Sequence, residues 1–435
     1  MTTKTHICVD TEPAPHHAHG APSGGTALVA WLAVFAGYAA IVSIVTQGPS
    51  GAWGASAAVG YGVAALGAWR WCHSLVPLLI GLMGAVAAPT IWLAIRWPGG
   101  ETAVLARAAF LLLRHGSPYL ASGQLLSAQS YNPSLPAMSV FGFPHTAGLP
   151  GLLGNPASWL ALTSAVLAAA AIGVGMPYRS WRLTPGRETW LRNTALAVMS
   201  PVLALPIALG TTDPPVIALM CLALACASRS AASRPAPGAT AGPGTQPGGS
   251  ASRWITWSGM AALAIGAACA MKATGWPALP VVAALTAARE GRHAAIRFVG
   301  TAAATAVILI AVFAPALIAH PGAFAENIVA YPLGLARHLT PAASPLPGHL
   351  LASTAPGRLI ALGLLLAAAA GIALSLVLRP PRDIRAATVR LALGLTLLFT
   401  LAPNARFGYF AYPAALLGWL ALTAPSRASG DQATR

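Results

Sequence analysis

Charged residues are scarce in this chain of 435 residues: 8% are Asp, Glu, Lys or Arg, whereas 56% are hydrophobic. Soluble globular domains carry about 25% charged residues, so this composition excludes a soluble domain. Acidic residues are the scarcest charged type, with 9 against 25 Lys and Arg. The net charge of +16 would suggest a nucleic-acid partner for a soluble chain. In a membrane protein, however, basic residues accumulate at cytoplasmic helix ends, so we expect membrane lipids and no nucleic acid as partners.

Cysteine is scarce as well, and the five cysteines lie in a tail, a short turn or apolar runs without metal-site spacing. We therefore expect neither a disulfide framework nor a zinc site. No basic segment directly precedes the first apolar run, so no cleavable signal peptide is predicted. Residues 1–25 contain four of the histidines, which leaves a metal-binding segment or a disordered cytoplasmic tail as alternatives. Their polar, low-complexity composition favours the tail.

Long apolar runs fill most of the remaining chain, and the mean hydropathy is +0.67. A membrane helix needs about 20 apolar residues, which predicts an all-α polytopic membrane protein with about twelve transmembrane helices. The predicted spans are residues 26–48, 53–69, 74–96, 156–176, 191–209, 214–229, 254–270, 275–288, 294–318, 358–378, 386–402 and 407–424. Three of these (53–69, 214–229 and 275–288) are short enough to be tilted or re-entrant instead.

The distribution of Lys and Arg predicts the orientation. With a cytoplasmic N-terminus, the cytoplasmic segments hold 18 of the 25 basic residues and the outer segments hold 7. The positive-inside rule therefore places both termini in the cytoplasm, and we expect a multi-pass protein of the cytoplasmic membrane. The predicted domains are a cytoplasmic tail (1–25), an appended transmembrane hairpin (26–72), an N-terminal membrane half (73–229), a flexible linker rich in Pro, Gly, Ala and Ser (230–253), a C-terminal membrane half (254–426) and a cytoplasmic tail (427–435).

The predicted outer loop 97–155 is the segment on which the functional interpretation depends. Glu101 stands directly after a membrane span and begins a short amphipathic helix that we expect to lie in the membrane interface. Its apolar face is predicted to carry Val104, Ala108, Leu111 and Leu112, and another face Arg107 and Arg114. Several prolines and glycines follow, which predicts an irregular return to the membrane.

Other polar residues are predicted to reach the same face of the membrane. Two further acidic residues, Asp213 and Glu326, stand near predicted membrane boundaries. The candidate phosphate-binding residues in these outer segments are Lys272, Arg337, His338, His349 and Arg406. Transfer of a sugar from a lipid-phosphate donor needs a general base, cations for the departing phosphate and a groove for the lipid. Glu101 is the candidate base, and the cations are candidates for the phosphate.

Each of these assignments has an alternative. Asp213 precedes two prolines and is suited to cap the following helix. Lys272 and Arg406 are suited to snorkel towards lipid headgroups, and a Glu at the end of a span can be merely interfacial. His338 and His349 lie in a long loop and can be ordinary surface residues. The Trp and Tyr residues near span ends are typical of an interfacial aromatic belt.

The loop also resembles a known family. Glu101-Thr102-Ala103-Val104, the run Leu111 to Tyr119 (LLLRHGSPY) and Tyr131-Asn132-Pro133-Ser134-Leu135-Pro136 resemble the first outer loop of GT-C fold glycosyltransferases. They are most similar to family 87, the actinobacterial polyprenol-phosphate-mannose-dependent α-mannosyltransferases. The sequence departs from that family in having Glu where Asp is commoner, no acidic neighbour beside it, and two additional spans before the loop.

The resemblance implies a catalytic carboxylate at Glu101 and an acceptor or donor rim at Tyr119, Tyr131 and Asn132, to which we add Asp213 and Glu326 as candidates. It also implies an inverting hexosyl transfer, most simply of mannose, from a polyprenyl-phosphate sugar donor to a lipid or glycan acceptor. No nucleotide-sugar motif is present, and a divalent cation is left open because some members of the fold use one. The alternatives are a catalytically silent GT-C-like scaffold subunit and a lipid or small-molecule transporter, although the predicted spans are nearly free of the charges that a transporter carries at mid-membrane depth.

Overall fold

The computed structural model describes residues 24–71, 74–97, 99–176, 184–232, 256–318, 321–338 and 343–424. These residues form helices and connecting turns, and none of them forms a β-strand. The main helices are α1 (Gly24–Val45), α2 (Gly48–Arg70), α3 (Val76–Arg96), α4 (Glu101–His115), α5 (Pro156–Gly175), α6 (Thr184–Met199), α7 (Pro201–Ala208), α8 (Asp213–Ala232), α9 (Trp257–Met271), α10 (Ala278–Glu290), α11 (Arg292–Phe313), α12 (Ala355–Leu378), α13 (Ile384–Leu401) and α14 (Ala411–Thr423).

Several of these helices are suited to cross a membrane, which confirms the predicted class of an all-α polytopic protein. Six described helices are long and apolar enough, namely α1, α3, α5, α11, α12 and α13. The pair α6 and α7, bent by 61° at Ser200, makes a seventh if it is one span. The prediction of twelve also counted helices that are shorter or less apolar, including α9 and α14, so that number stays a prediction. The predicted tails and most of the predicted linker 230–253 lie outside the described residues.

The hairpin α1–α2 packs against α3 through a contact between two glycines. A methyl group on Gly60 would lie 2.7 Å from the Cα atom of Gly84, so the two backbones touch there. Gly84 belongs to a single π-helical turn, Met83–Ala87, within α3. Trp53 of α2 donates its indole N–H to the carbonyl of Ala85 at 2.8 Å. The hairpin therefore holds α3, whose C-terminal end leads directly to Glu101.

Helix α8 lies at the centre of the larger hydrophobic core. From Asp213 to Ala227 every side chain is buried except that of Leu222, which is partly buried. A helix that is apolar around its circumference can be covered by lipid or by other helices, and the burial of these side chains shows that other helices surround α8. It packs with α5, α9, α10, α13 and α14, and this arrangement brings the N-terminal end of α8 close to the loops that follow α9 and α13.

The amphipathic helix predicted after Glu101 is present as α4, but its buried face is displaced from the predicted one. The buried residues are Leu105, Ala108, Ala109 and Leu112, whereas Val104 and Leu111 are half-buried. The difference arises because the chain after α4 folds back over the helix as a buried 3₁₀ segment, Pro136–Gly142. A methyl group on Gly142 would lie 2.1 Å from the carbonyl oxygen of Leu105, so this return segment lies directly against α4. The return path is thus packed into the protein.

Candidate active site

Glu101 is the first residue of α4, and a glycine places it there. Gly100 precedes it with φ +62°, a left-handed conformation that residues with a side chain rarely adopt. The turn between α3 and α4 is therefore sharp, and it directs the first residue of α4 towards the N-terminal end of α8. A carboxylate in the first turn of a helix is also stabilised by the partial positive charge at that end.

Three donor groups bind the Glu101 carboxylate. Its Oε2 atom accepts hydrogen bonds from the backbone N–H of Thr212 at 2.8 Å and from the Thr212 hydroxyl at 2.7 Å. Its Oε1 atom accepts from Nη2 of Arg406 at 3.2 Å. These partners are 111 and 305 residues away along the sequence, so the tertiary fold creates the arrangement.

A second ion pair adjoins the first and is more deeply buried. Nζ of Lys272, directly after α9, lies 2.6 Å from Oδ1 of Asp213, the first residue of α8. The two side chains are 5% and 9% exposed. Nζ also donates to the Thr212 hydroxyl at 2.8 Å, and Oδ1 of Asp213 accepts from the hydroxyl of Tyr412 at 2.8 Å. Thr212 therefore joins the two ion pairs, and we call Glu101, Thr212, Asp213, Lys272 and Arg406 the charged cluster.

Tyr409 lies beside both cations of the charged cluster. Nζ of Lys272 is 5.6 Å from the centre of its ring, and Cζ of Arg406 is 5.2 Å from it. Nη2 of Arg406 also donates to the Tyr409 hydroxyl at 3.2 Å. Cations are attracted to the face of an aromatic ring at such distances, so Tyr409 helps to keep two positive charges close together.

These contacts determine the charge state of Glu101. Burial by itself raises the pKa of Glu101, but the positive charges of Lys272 and Arg406 and the hydrogen bonds from Thr212 outweigh it and lower that pKa from 4.5 to about 2. Burial also acts to lower the pKa of Lys272, and the carboxylates of Asp213 and Glu101 raise it overall. Glu101 is thus ionised and Lys272 protonated at neutral pH.

Two of the predicted rim residues, Tyr131 and Glu326, meet in a second group, whereas a third, Asp213, belongs to the charged cluster. Tyr131 stacks on Tyr331 with ring centres 4.3 Å apart, and its hydroxyl donates to Oε1 of Glu326 at 3.3 Å. The ring of His338 is 6.5 Å from that of Tyr131. The carbonyl of Tyr331 accepts from the side-chain amide of Asn404 at 2.7 Å. Asn404 stands two residues before Arg406, so the turn after α13 contributes to both groups.

Tyr119 and Asn132 are buried and connect the segments of the loop 97–155. The Tyr119 hydroxyl donates to the carbonyl of Ser134 at 2.9 Å, and the backbone N–H of Asn132 donates to Oδ1 of Asn327 at 2.7 Å. The backbone N–H of Leu135 donates to the carbonyl of Met271 at 2.9 Å, directly before Lys272. These contacts fix the loop against the end of α9.

The structure does not bring every candidate cation to the charged cluster. Nδ1 of His349 lies 2.9 Å from the carbonyl oxygen of Pro403, where it can fix the turn after α13. Arg337 is exposed on the loop beside His338. Lys272 is buried in an ion pair rather than extended towards headgroups, and the Asp213 side chain binds Lys272 and Tyr412 rather than serving only as a cap.

The donor set is a poor match to a divalent cation. Among the described residues, no three His, Cys, Asp or Glu side chains come together as metal ligands would. The two carboxylates of the charged cluster are each already paired with a cation. We therefore assign no chemical step to a metal.

Sequence reasoning overlooked Thr212 and Tyr412, and it assigned Tyr409 to an aromatic belt. Thr212 stands directly before Asp213, and a hydroxyl next to an acidic residue in a short turn was the available signal. Tyr409 and Tyr412 are three residues apart, and both follow Arg406 closely. A cation followed by two tyrosines at helical spacing was the signal for their shared location.

No family model matches the chain, and no curated protein matches it. The crystal structure of ArnT from Cupriavidus metallidurans in the apo state aligns with a TM-score of 0.43 and 17% identity, covering 82% of this chain and 62% of that one. The structure of ArnT from the same organism bound to undecaprenyl phosphate aligns with a TM-score of 0.42 and 16% identity, covering 77% and 57%. The chain thus spans about three fifths of ArnT, and similarity at this level does not assign it to a family.

Proposed function

We propose that this chain is an integral membrane glycosyltransferase that transfers a hexose, with mannose as the first candidate, from a polyprenyl-phosphate donor to a lipid or glycan acceptor on the outer face of the membrane. The observation that carries the proposal is the charged cluster, in which two carboxylates and two cations from four distant segments meet at helix ends. The loop motif that resembles family 87 GT-C glycosyltransferases contributes one of those carboxylates, Glu101.

The charged cluster contains the groups that this reaction needs. The acceptor hydroxyl oxygen forms a bond to C1 of the sugar, while the bond between C1 and the phosphate oxygen breaks. The phosphate leaves with the bonding electron pair as polyprenyl phosphate, and the hydroxyl proton passes to the Glu101 carboxylate. Arg406 and Lys272 supply positive charge for the leaving phosphate, and preorganised charge of this kind is a large contribution to catalysis.

Glu101 is in the ionised form that a general base requires. With a pKa of about 2, however, its basicity is low, and efficient general bases have a pKa near the working pH. Departure of a cation or approach of a phosphate anion would raise the pKa of this carboxylate. The contacts around Glu101 are therefore suited to a base whose strength depends on the bound donor.

The second group is the proposed rim for the sugar or the acceptor. Tyr131 and Tyr331 form a stacked pair, with Glu326 and His338 beside it. Carboxylate, imidazole and phenol groups match the hydrogen-bonding needs of sugar hydroxyls. Asn404 connects this pair to the turn that carries Arg406, so binding at the rim and at the charged cluster would involve the same turn.

A transporter is the competing function, and a buried ion pair between helices is the observation that favours it. Charges used in transport are typically found at mid-membrane depth, often in broken helices. Here Asp213 is the first residue of α8 and Lys272 follows the last residue of α9. Both charges lie at helix ends, which favours chemistry at the membrane boundary.

The test is sugar transfer by the purified protein in liposomes, with labelled polyprenyl-phosphate mannose and a mixed lipid and glycan acceptor fraction. We expect transfer by the wild type and a loss of about 10²–10⁴-fold in Glu101→Gln, as for removal of a general base. Asp383→Asn is the matched control, because it removes one negative charge at the opposite end of α13 while an Asn can still accept the capping hydrogen bond from Ala386. Absence of transfer from any polyprenyl-phosphate sugar would refute the proposal and favour the silent scaffold or the transporter.

The proposed outer location of the site needs a separate test. Gln124 is exposed in the outer loop, and a Gln124→Cys variant should react with a membrane-impermeant maleimide added to intact cells. Labelling only after the cells are opened would place the loop in the cytoplasm and so contradict the proposed orientation.

A further inference from the structure

The two cations of the charged cluster differ in how strongly their present partners hold them. Lys272 is 5% exposed and donates to both Asp213 and Thr212 at 2.6 and 2.8 Å. Arg406 is 32% exposed, and its contact with Glu101 is a single hydrogen bond of 3.2 Å. A buried, doubly bonded ammonium is costly to unpair, whereas a partly exposed pair of this kind is held by about 1 kcal/mol or less.

Arg406 also has unused hydrogen-bonding capacity. A guanidinium has five N–H donors in a planar fork. Of the three guanidinium nitrogens of Arg406, only Nη2 donates hydrogen bonds to described residues, namely Glu101 and Tyr409. The remaining donors are suited to the planar, two-point binding of a phosphate. Arg337 offers the same chemistry, but nothing in the described structure brings it to the Glu101 carboxylate.

Glu101 does not depend on Arg406 to keep its place. Its other oxygen is bound by the backbone N–H and the hydroxyl of Thr212. If Arg406 moved to another anion, this carboxylate would stay at the start of α4 with one oxygen free. The Glu101–Arg406 contact can therefore open while the Asp213–Lys272 contact stays closed.

We propose that Arg406 is the residue that binds the phosphate of the donor, and that it does so by exchanging the Glu101 carboxylate for that phosphate. Lys272 remains paired with Asp213 and contributes a fixed positive charge. The exchange rests on the proposed function, because it assumes a phosphate ligand, and it extends that function by identifying the binding residue. In the absence of ligand the Glu101 carboxylate acts as an internal competitor for Arg406, and binding of the phosphate releases it to act on the acceptor.

Competition between Glu101 and the phosphate for Arg406 can be distinguished from simple repulsion of the phosphate by the negative charge of Glu101. Glu101→Gln removes the competitor, so it should tighten phosphate binding by about fivefold, the equivalent of about 1 kcal/mol. Arg406→Gln should weaken binding by at least about tenfold, since it removes charge-assisted hydrogen bonds. In the Arg406→Gln background, Glu101→Gln should have no further effect, because there is nothing left to compete for.

The experiment is a double-mutant cycle measured by calorimetry on the full chain in phosphatidylcholine nanodiscs, with farnesyl phosphate as one probe and inorganic phosphate as the other. If farnesyl phosphate binds more tightly than inorganic phosphate, the ligand is a lipid-linked phosphate. If both bind equally, the protein recognises the phosphate group alone. Both outcomes are compatible with the exchange at Arg406. Arg406→Lys, which keeps the charge, and Asp383→Asn, which loses a distant one, serve as folding and charge controls.

Unchanged or weaker binding in Glu101→Gln would overturn the exchange, and so would equal tightening with and without Arg406. Because no sugar is transferred in this assay, the exchange can fail while transfer is observed. Conversely, the exchange can hold where transfer is absent, and the two proposals are thus tested separately.

Discussion

The buried ion pair between Asp213 and Lys272 allows a quantitative test of the architecture around the site. In Asp213→Asn, Lys272 keeps its hydrogen bond to Thr212 but loses the carboxylate that neutralises it in a buried position. In Lys272→Met, the buried carboxylate keeps only the Tyr412 hydroxyl as a partner among its present contacts. Removing one partner of a buried pair costs about 3–5 kcal/mol, so each single variant should lose about that much stability.

The double variant Asp213→Asn/Lys272→Met should be far more stable than the sum of the single losses, because neither charge remains to be buried unpaired. Two independent losses would sum to about 6–10 kcal/mol, whereas we expect the double variant to lose no more than either single one. The free energy of unfolding can be measured by equilibrium denaturation with sodium dodecyl sulfate in mixed micelles, followed by tryptophan fluorescence.

The pair Glu101 and Arg406 is a suitable internal comparison, since the same chemistry occurs there at higher exposure. Its side chains are 24% and 32% exposed, and the coupling energy of a pair of this kind is about 1 kcal/mol or less. If the Asp213/Lys272 losses were additive, or if both pairs showed the same coupling, the reasoning from burial would be refuted.

Three further predictions concern pH, close packing and a buried amide. The pKa of Glu101 is lowered from 4.5 to about 2, so its contribution to stability is present above pH 4.5 and lost as the pH falls towards 2; wild type should lose more stability over that range than Glu101→Gln. Gly142→Ala should lower the free energy of unfolding by about 1–3 kcal/mol, because the new methyl would lie 2.1 Å from a backbone oxygen of α4. Gly123→Ala is the control and should cost little, because its new methyl would have nothing within 4 Å. Equal effects of the two substitutions would contradict the packing. Asn327→Leu leaves the backbone N–H of Asn132 without its acceptor, so it should cost about 1–3 kcal/mol and speed proteolysis of the loop 97–155. An unchanged cleavage rate would argue against that contact.

The sequence was sufficient to predict the helical class and the position of Glu101 at the start of a short helix, whereas the placement of that helix in the membrane interface stays a prediction. Both follow from local patterns: apolar runs of membrane length, and an acidic residue that follows a span and two glycines. The sequence also grouped Glu101, Asp213, Lys272 and Arg406 on one face, because the positive-inside rule assigns each loop to a side of the membrane. Their meeting in the structure is consistent with that grouping, although the assignment of the face itself stays a prediction.

The partners within that group could not be predicted from the sequence. Orientation rules assign a loop to a side, but they do not determine which helix ends become neighbours in the plane of the membrane. Asp213 had two predicted roles, as a cap of the following helix or as a rim residue of the site, and its pairing with Lys272 depends on α8 and α9 being adjacent. The observed buried face of α4 differs from the predicted one because the segment Pro136–Gly142 covers the helix. That segment has no helical or strand periodicity that would identify it as part of the core.

The distance along the chain between Glu101 and Arg406 has a consequence for biosynthesis. The two residues are 305 positions apart, and at about 5–20 residues per second a ribosome would need about 15 to 60 s between them. The interval between synthesis of Asp213 and synthesis of Lys272 is much shorter, because only 59 positions separate them. Once Thr212 has been synthesised, 111 positions after Glu101, the carboxylate can bind it but still lacks its guanidinium partner, so a partly synthesised chain carries an incompletely neutralised acid. A membrane quality-control system that detects unpaired charge would therefore be able to tell an unfinished copy of this protein from a finished one.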